Sequence, residues 1–285
     1  MKKYIIFLIP AFLLFVLCQN SNKKAETVQV FPLDTIPMYY SHQYPTFCLP
    51  ILDGIVNDSL HLKVFFDTGS GGNYFNIPER FKNLFDSDSA SVQIGKFKKR
   101  MGIDYWGSNQ KSIINIVGEN TIMVGWQFFE NKIIEFNFQN QHILVYNELP
   151  DVSAYSKTKI TLFRDTHIVI PVQVVLQGKT IQDTFNIDTG CNEYMVLITK
   201  HIEKQGIDTV NAYHKRTAVS GGQVPNFLLP ADTIKIGDLY VANQNMRISF
   251  VNHPTGGLLG TRTMENFIVM LDLINYDLYL KKIEN

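Results

Sequence analysis

The chain has 285 residues, 45% hydrophobic and 12% aromatic, enough to bury two cores of about 110 residues each. Its 26 basic and 26 acidic residues cancel and form no long runs, which excludes a basic nucleic-acid groove and a strongly acidic partner surface.

In chain order, residues 1–18 are the first predicted element. Lys2-Lys3 precede a 14-residue apolar run from Tyr4 to Leu17, shorter than a membrane span and suited to an export signal. Cys18 closes that run and is followed by polar Gln19-Asn20-Ser21-Asn22-Lys23-Lys24. Phe15-Val16-Leu17-Cys18 resembles a lipobox, which implies acylation of Cys18 and a membrane-anchored protein of the bacterial cell envelope, periplasmic or surface. Secretion without an anchor is the alternative. Residues 19–43 are predicted to be an extended tether.

Residues 44–148 hold one predicted unit. An apolar run, Phe47-Cys48-Leu49-Pro50-Ile51-Leu52, pairs as a hairpin with the alternating Leu62-Val64-Phe66 strand, which runs into Asp67-Thr68-Gly69. A short helix is expected over Pro78 to Phe85, then a strand ending at Val124-Gly125, and a last strand over His142–Tyr146. Residues 149–162, with Pro150 and small polar residues beside it, read as a linker. Residues 163–285 then repeat the plan. Ile168-Val169-Ile170-Pro171-Val172 and Phe185-Ile187 lead into Asp188-Thr189-Gly190, followed by a helix over Ile198 to Gln205, a hairpin turning at Gly237-Asp238, Leu259-Gly260, a helix over Thr261 to Glu265, and a strand over Asp277–Leu280.

The two units keep step. Pro50 and Pro171 each lie 17 residues before their aspartate. Glu130-Asn131 and Glu265-Asn266 stand at +5 and +6 from Gly125 and Gly260, and Phe136-Asn137-Phe138 matches Leu271-Asp272-Leu273 at +11 to +13. At ordinary residue frequencies about one chain in twenty of this length carries one Asp-Thr-Gly by chance. A matched pair in register points to duplication and to one site built from two halves. Asp272 reads as a structural residue, since Asn137 stands in its place in the first unit.

Phe65-Phe66-Asp67-Thr68-Gly69-Ser70 and Asn186-Ile187-Asp188-Thr189-Gly190-Cys191, each followed downstream by two apolar residues and a glycine, resemble the half-sites of clan AA aspartic proteases. The resemblance spans roughly residues 44 to 282. It implies an all-β, two-lobed pepsin-like acid protease fold, each lobe a compact retropepsin-like β-barrel with one or two short helices. It also implies an aspartic endopeptidase acting on peptide or protein substrates, with Asp67 and Asp188 as the catalytic pair.

Two carboxylates about 3 Å apart cannot both ionise cheaply, so they share a proton and supply one acid and one base. That chemistry activates a water without metal or cofactor, and neither CxxC nor HExxH spacing occurs. Thr68 and Thr189 would then hydrogen-bond across to the opposite loop. Gly69 and Gly190 would let the backbone approach the carboxylates, while Gly125 and Gly260 mark where a strand passes beneath each loop.

Ser70 is expected to donate its hydroxyl towards the first carboxylate, with Cys191 a weaker donor at the matching place. A covering hairpin, or flap, is expected at Asp104-Tyr105-Trp106-Gly107-Ser108, with Ala218 to Gln223 as the alternative. Cys48 and Cys191 are expected to be unpaired, buried thiols, and the protein a monomer. The other reading is a surface lipoprotein that binds an extended peptide in the same cleft without cutting it.

Overall fold

The structure, a computed structural model, describes residues 29–40, 48–106, 116–219, 222–242, 247–251 and 255–283. The protein is all-β. Its first half carries β1 (Asp34–Pro37), β2 (Ile51–Val56), β3 (Leu60–Phe66), β4 (Tyr74–Pro78), β5 (Ser89–Ile94), β6 (Phe97–Trp106), β7 (Thr121–Val124), β8 (Ile133–Asn137) and β9 (His142–Tyr146). The second half carries β10 (Ser156–Lys159), β11 (Thr161–Phe163), β12 (His167–Leu176), β13 (Lys179–Ile187), β14 (Met195–Ile198), β15 (Tyr213–Val219) and β16 (Gly222–Pro230). It continues through β17 (Thr233–Ile236), β18 (Leu239–Val241), β19 (Arg247–Val251), β20 (Gly257–Leu259), β21 (Phe267–Asp272) and β22 (Asp277–Lys282).

Alternating apolar residues explain the two leading hairpins, β2–β3 and β12–β13. Leu52, Val64 and Phe66, like Ile170, Val174 and Phe185, are fully buried while their neighbours along the strand face the other way. Each hairpin turns through two left-handed residues, Asn57-Asp58 (φ 47° and 61°) and Gln177-Gly178 (φ 52° and 69°), the conformation that matches the strand twist. The outgoing strand of each hairpin then lies parallel to a distant one: Phe66 pairs with Val124, and Ile187 with Leu259. A second parallel pairing, β4 with β6 and β14 with β19, completes the repeat.

The halves differ in closure. In the first, β2-β3-β7-β4-β6-β5 form a closed barrel, because the ten-residue β6 reaches both β5 and β4. In the second, β18 and β19 take the place of β6, and among the described residues the strands form a ten-stranded sheet rather than the compact barrel expected there. The second half also inserts the β15–β16 hairpin after the short helix Lys200–Gln205. At that place the first half has only Phe85 to Asp88 between the helical turn Glu79–Leu84 and β5.

A six-stranded sheet in the order β1-β9-β8-β21-β22-β10 joins the halves, with Asn137 opposite Ile268 and Ile133 opposite Asp272. Two segments expected to be irregular contribute its edges. Part of the predicted 19–43 tether is β1, with Ile36 and Met38 buried against the core. Part of the predicted 149–162 linker is β10, paired along β22. One contiguous apolar core runs through both halves. The predicted export signal and Cys18 lie outside the described residues. Among the described residues, no helix is long and apolar enough to cross a membrane.

Candidate active site

β3 and β13 deliver Asp67 and Asp188 to the junction of the halves. The ladder continues one residue past each strand: the Asp67 N–H donates to the Val124 carbonyl and the Asp188 N–H to the Leu259 carbonyl, both at 3.0 Å. Each chain then turns back on itself, with Gly69 N–H donating to Asp67 Oδ1 (2.9 Å) and Gly190 N–H to Asp188 Oδ1 (2.8 Å). The turn needs glycine for a steric reason. A Cβ on Gly69 would stand 2.5–2.8 Å from the Asp188 carboxyl atoms, and one on Gly190 would stand 2.7 Å from those of Asp67. Gly125 and Gly260 run directly against the same loops, where a Cβ would collide with the carbonyls of Ser70 and of Glu193.

The intervening threonines tie the loops together. Thr68 N–H donates to Thr189 Oγ1 (2.9 Å) and Thr189 N–H to Thr68 Oγ1 (3.0 Å). Each hydroxyl in turn donates to the opposite strand, Thr68 to the Ile187 carbonyl (2.8 Å) and Thr189 to the Phe66 carbonyl (2.7 Å). All four bonds are buried and neither threonine is exposed to solvent, so loss of one hydroxyl strands an N–H and a carbonyl without water.

Asp67 and Asp188 are half-buried and hydrogen-bond to each other. Burial pushes the Asp67 carboxyl above its ordinary value, opposed by the hydrogen bond from Asp188 and by the N–H groups of Gly69, Ser70 and Gly190. Burial raises Asp188 most, and the negative charge of Asp67 and the hydrogen bond between them add to it, well above its ordinary value. Burial and their mutual charge therefore make the two carboxyls titrate as a pair that favours sharing one proton over ionising both. Ser70 acts through its backbone N–H, and Cys191 does the same for Asp188. The expected contrast between a serine hydroxyl and a cysteine thiol is thus replaced by two equivalent backbone donors, because the turn points both N–H groups inward.

Each loop is also gripped by the segment that enters the opposite half. The turn before β12 places Thr166 on Gly71, and the Thr166 carbonyl accepts from Trp126 Nε1 (2.8 Å) and Gln127 Nε2 (3.3 Å). Symmetrically, Cys48 N–H donates to Asn192 Oδ1 (3.0 Å) and its thiol to Glu265 Oε2 (2.6 Å). Burial and Glu265 push that thiol up to about 12. Cys48 and Cys191 are both free and half-buried rather than fully buried. His167, beside Thr166 through an Oγ1···Nδ1 contact of 2.7 Å, is held below its ordinary value by burial, against the backbone bond to Phe163 and the charge of Asp67. Thr166, His167, Trp126 and Gln127 were missed in the sequence because nothing local ties residues 126–127 to residue 166.

Only the first part of the predicted flap, Asp104 to Trp106, falls within the described residues. Tyr105 and Trp106 lie inside β6, paired with Ile77 and Pro78 of β4, and Tyr105 packs against the core with Lys82 over its ring. Aromatic and β-branched residues around Asp104 favour a paired strand, while Gly107 lies outside the described residues. The β15–β16 hairpin, which contains Ala218 and Gln223, has no counterpart among the described residues of the first half. Asp272 is fully buried and accepts from the N–H groups of Ile274 and Asn275, as Asn137 accepts from Asn140, so both residues hold turns. No protein-family model matches the chain, and no curated protein matches it.

Proposed function

We propose that the protein is an aspartic endopeptidase with a two-lobed, pepsin-like arrangement, hydrolysing peptide bonds through a water activated between Asp67 and Asp188. The observation that carries this reading is the juxtaposed carboxyl pair, one member from each half, on loops locked by reciprocal threonine bonds. Ionised Asp67 takes a proton from the water as it attacks the scissile carbonyl carbon, and Asp188 donates its proton to the carbonyl oxygen. The tetrahedral gem-diol then collapses: the C–N bond breaks as Asp67 passes its proton to the leaving amine, and Asp188 regains a proton from a diol hydroxyl as the carboxylic acid forms. The fixed N–H groups at Gly69, Ser70, Gly190 and Cys191 hold the negative charge of the pair without reorganising. In this reading a hairpin covers bound peptide, either the segment from Asp104 to Ser108 or the one from Ala218 to Gln223, and the protein is exported and held at the membrane by Cys18.

The test is cleavage of a diverse peptide library by residues 25 to 285 across pH 3 to 8, with and without pepstatin. Pepstatin-sensitive cuts that Asp67→Asn lacks are the expected result. A well-folded protein that binds peptides, cuts none at any pH and is unaffected by Asp67→Asn would favour the non-catalytic peptide-binding reading.

A further inference from the structure

The two sides of the carboxyl pair differ in chemistry at one matched position. Phe66 and Ile187 point into the main core, so the residues on either side of them face the other way. Phe65 therefore shares its face with Asp67, and Asn186 shares its face with Asp188. On the first side Phe65 is flanked by its strand partners Ile51 and Met123, and with Leu49 these form a small apolar cluster separate from the main core. On the second side Asn186 is flanked in the same way by Val169 and Leu258.

Asn186 is 1% exposed, and its Oδ1 has no hydrogen-bond partner among the described residues. An unpaired buried amide oxygen costs about 1–3 kcal/mol. The fold does not need it, since phenylalanine fills the equivalent place one half earlier. Its strand partners Val169 and Leu258 offer no side-chain donor, so the place is open to a group brought by a bound peptide. That group must be a neutral donor, because a cation brought between Val169 and Leu258 would lose its hydration to a single amide oxygen. A carboxamide or hydroxyl suits best, as each donates and accepts and so matches both atoms of the Asn186 head group.

We propose that Asn186 is a specificity-determining residue: it selects a substrate residue with a neutral hydrogen-bonding side chain (Asn, Gln, Ser or Thr) on one side of the scissile bond, while Phe65 selects an apolar residue on the other. The proposal rests on the endopeptidase reading of the pair and gives it a substrate class.

Three uncleavable pseudopeptides test it, each with a reduced central bond flanked by Leu–Leu, Leu–Asn or Asn–Leu, titrated calorimetrically into the protein of residues 25 to 285. One mixed probe is expected to bind about tenfold tighter than Leu–Leu, the worth of one well-made hydrogen bond. Asn186→Leu should remove that preference, Asn186→Ser should keep part of it, and Phe65→Asn should create a preference for the other mixed probe. Equal binding of the three probes, binding of none, or a preference that survives Asn186→Leu would overturn the assignment. Library cleavage without selection beside the cut would sink the assignment and leave the endopeptidase reading. The predicted probe preference without any cleavage would do the reverse.

Discussion

At the scale of single residues, the carboxyl pair is held in a state the fold pays for. Both aspartates have folded-state values above their ordinary ones, Asp188 most of all. A carboxyl raised on folding binds more protons in the folded than in the unfolded chain above the unfolded value of about 4, so it reduces stability as pH rises through and past that value. Asp188→Asn keeps a hydrogen bond to Asp67 and removes the penalty. The variant should lose turnover, melt at a temperature higher by a few degrees at pH 7, and match the parent near pH 3, as read by thermal scans across that range. A melting point at pH 7 no higher than the parent's would show that desolvation of Asp188 is not what this site costs.

At the scale of elements, the edges of the central sheet carry the clearest charge effect. Asp277 begins β22 with 6% of its side chain exposed, and Lys157 (2.8 Å) and Lys159 (3.2 Å) of β10 both reach it. Burial pushes its carboxyl up, and the hydrogen bonds and charges of the two lysines outweigh that and hold it below its ordinary value. A lowered carboxyl contributes stability above the unfolded value and loses it as pH falls through the folded one. Asp277→Asn should therefore destabilise by about 1 kcal/mol at pH 7, since the lysines are largely exposed. The difference should vanish by about pH 2 in urea titrations.

Strand edges of this kind are poorly legible in sequence. Ser156-Lys157-Thr158-Lys159 has no apolar face to announce a strand, and it forms one because β22 presents an open edge. The hairpins leading to Asp67 and Asp188 were legible, since alternation over seven or more residues admits one face inward. The covering element is less legible, because an aromatic pair beside glycine suits a hairpin tip and a paired strand equally, and Tyr105 and Trp106 stand in β6.

At the scale of the whole molecule, the halves share one core, one central sheet and the threonine lock. Trp126 reports on the junction, because its indole N–H donates to Thr166 of the other half. Urea unfolding followed by tryptophan fluorescence and by far-ultraviolet circular dichroism should give coincident curves. Thr189→Val, which strands the Phe66 carbonyl and the Thr68 N–H, should cost about 2–4 kcal/mol and shift both curves together. Separation of the curves in the parent protein would mean that the halves unfold independently, and the shared core does not couple them.

Read alone, the sequence determined that the chain is built twice, that each copy runs a strand into Asp-Thr-Gly, and that a glycine lies in step downstream. Those features are local, written in alternation and in residues whose backbone needs are specific. The tertiary structure decided the rest: which donors face the carboxyls, which segment grips each loop, where the sheet ends, and that Asn186 stands unpaired where Phe65 packs. Each of these depends on a partner from a distant part of the chain, Thr68 with Thr189 and Trp126 with Thr166 among them. Local propensity says nothing about such partners, and only the closing of both parallel strand pairs brings them within bonding distance.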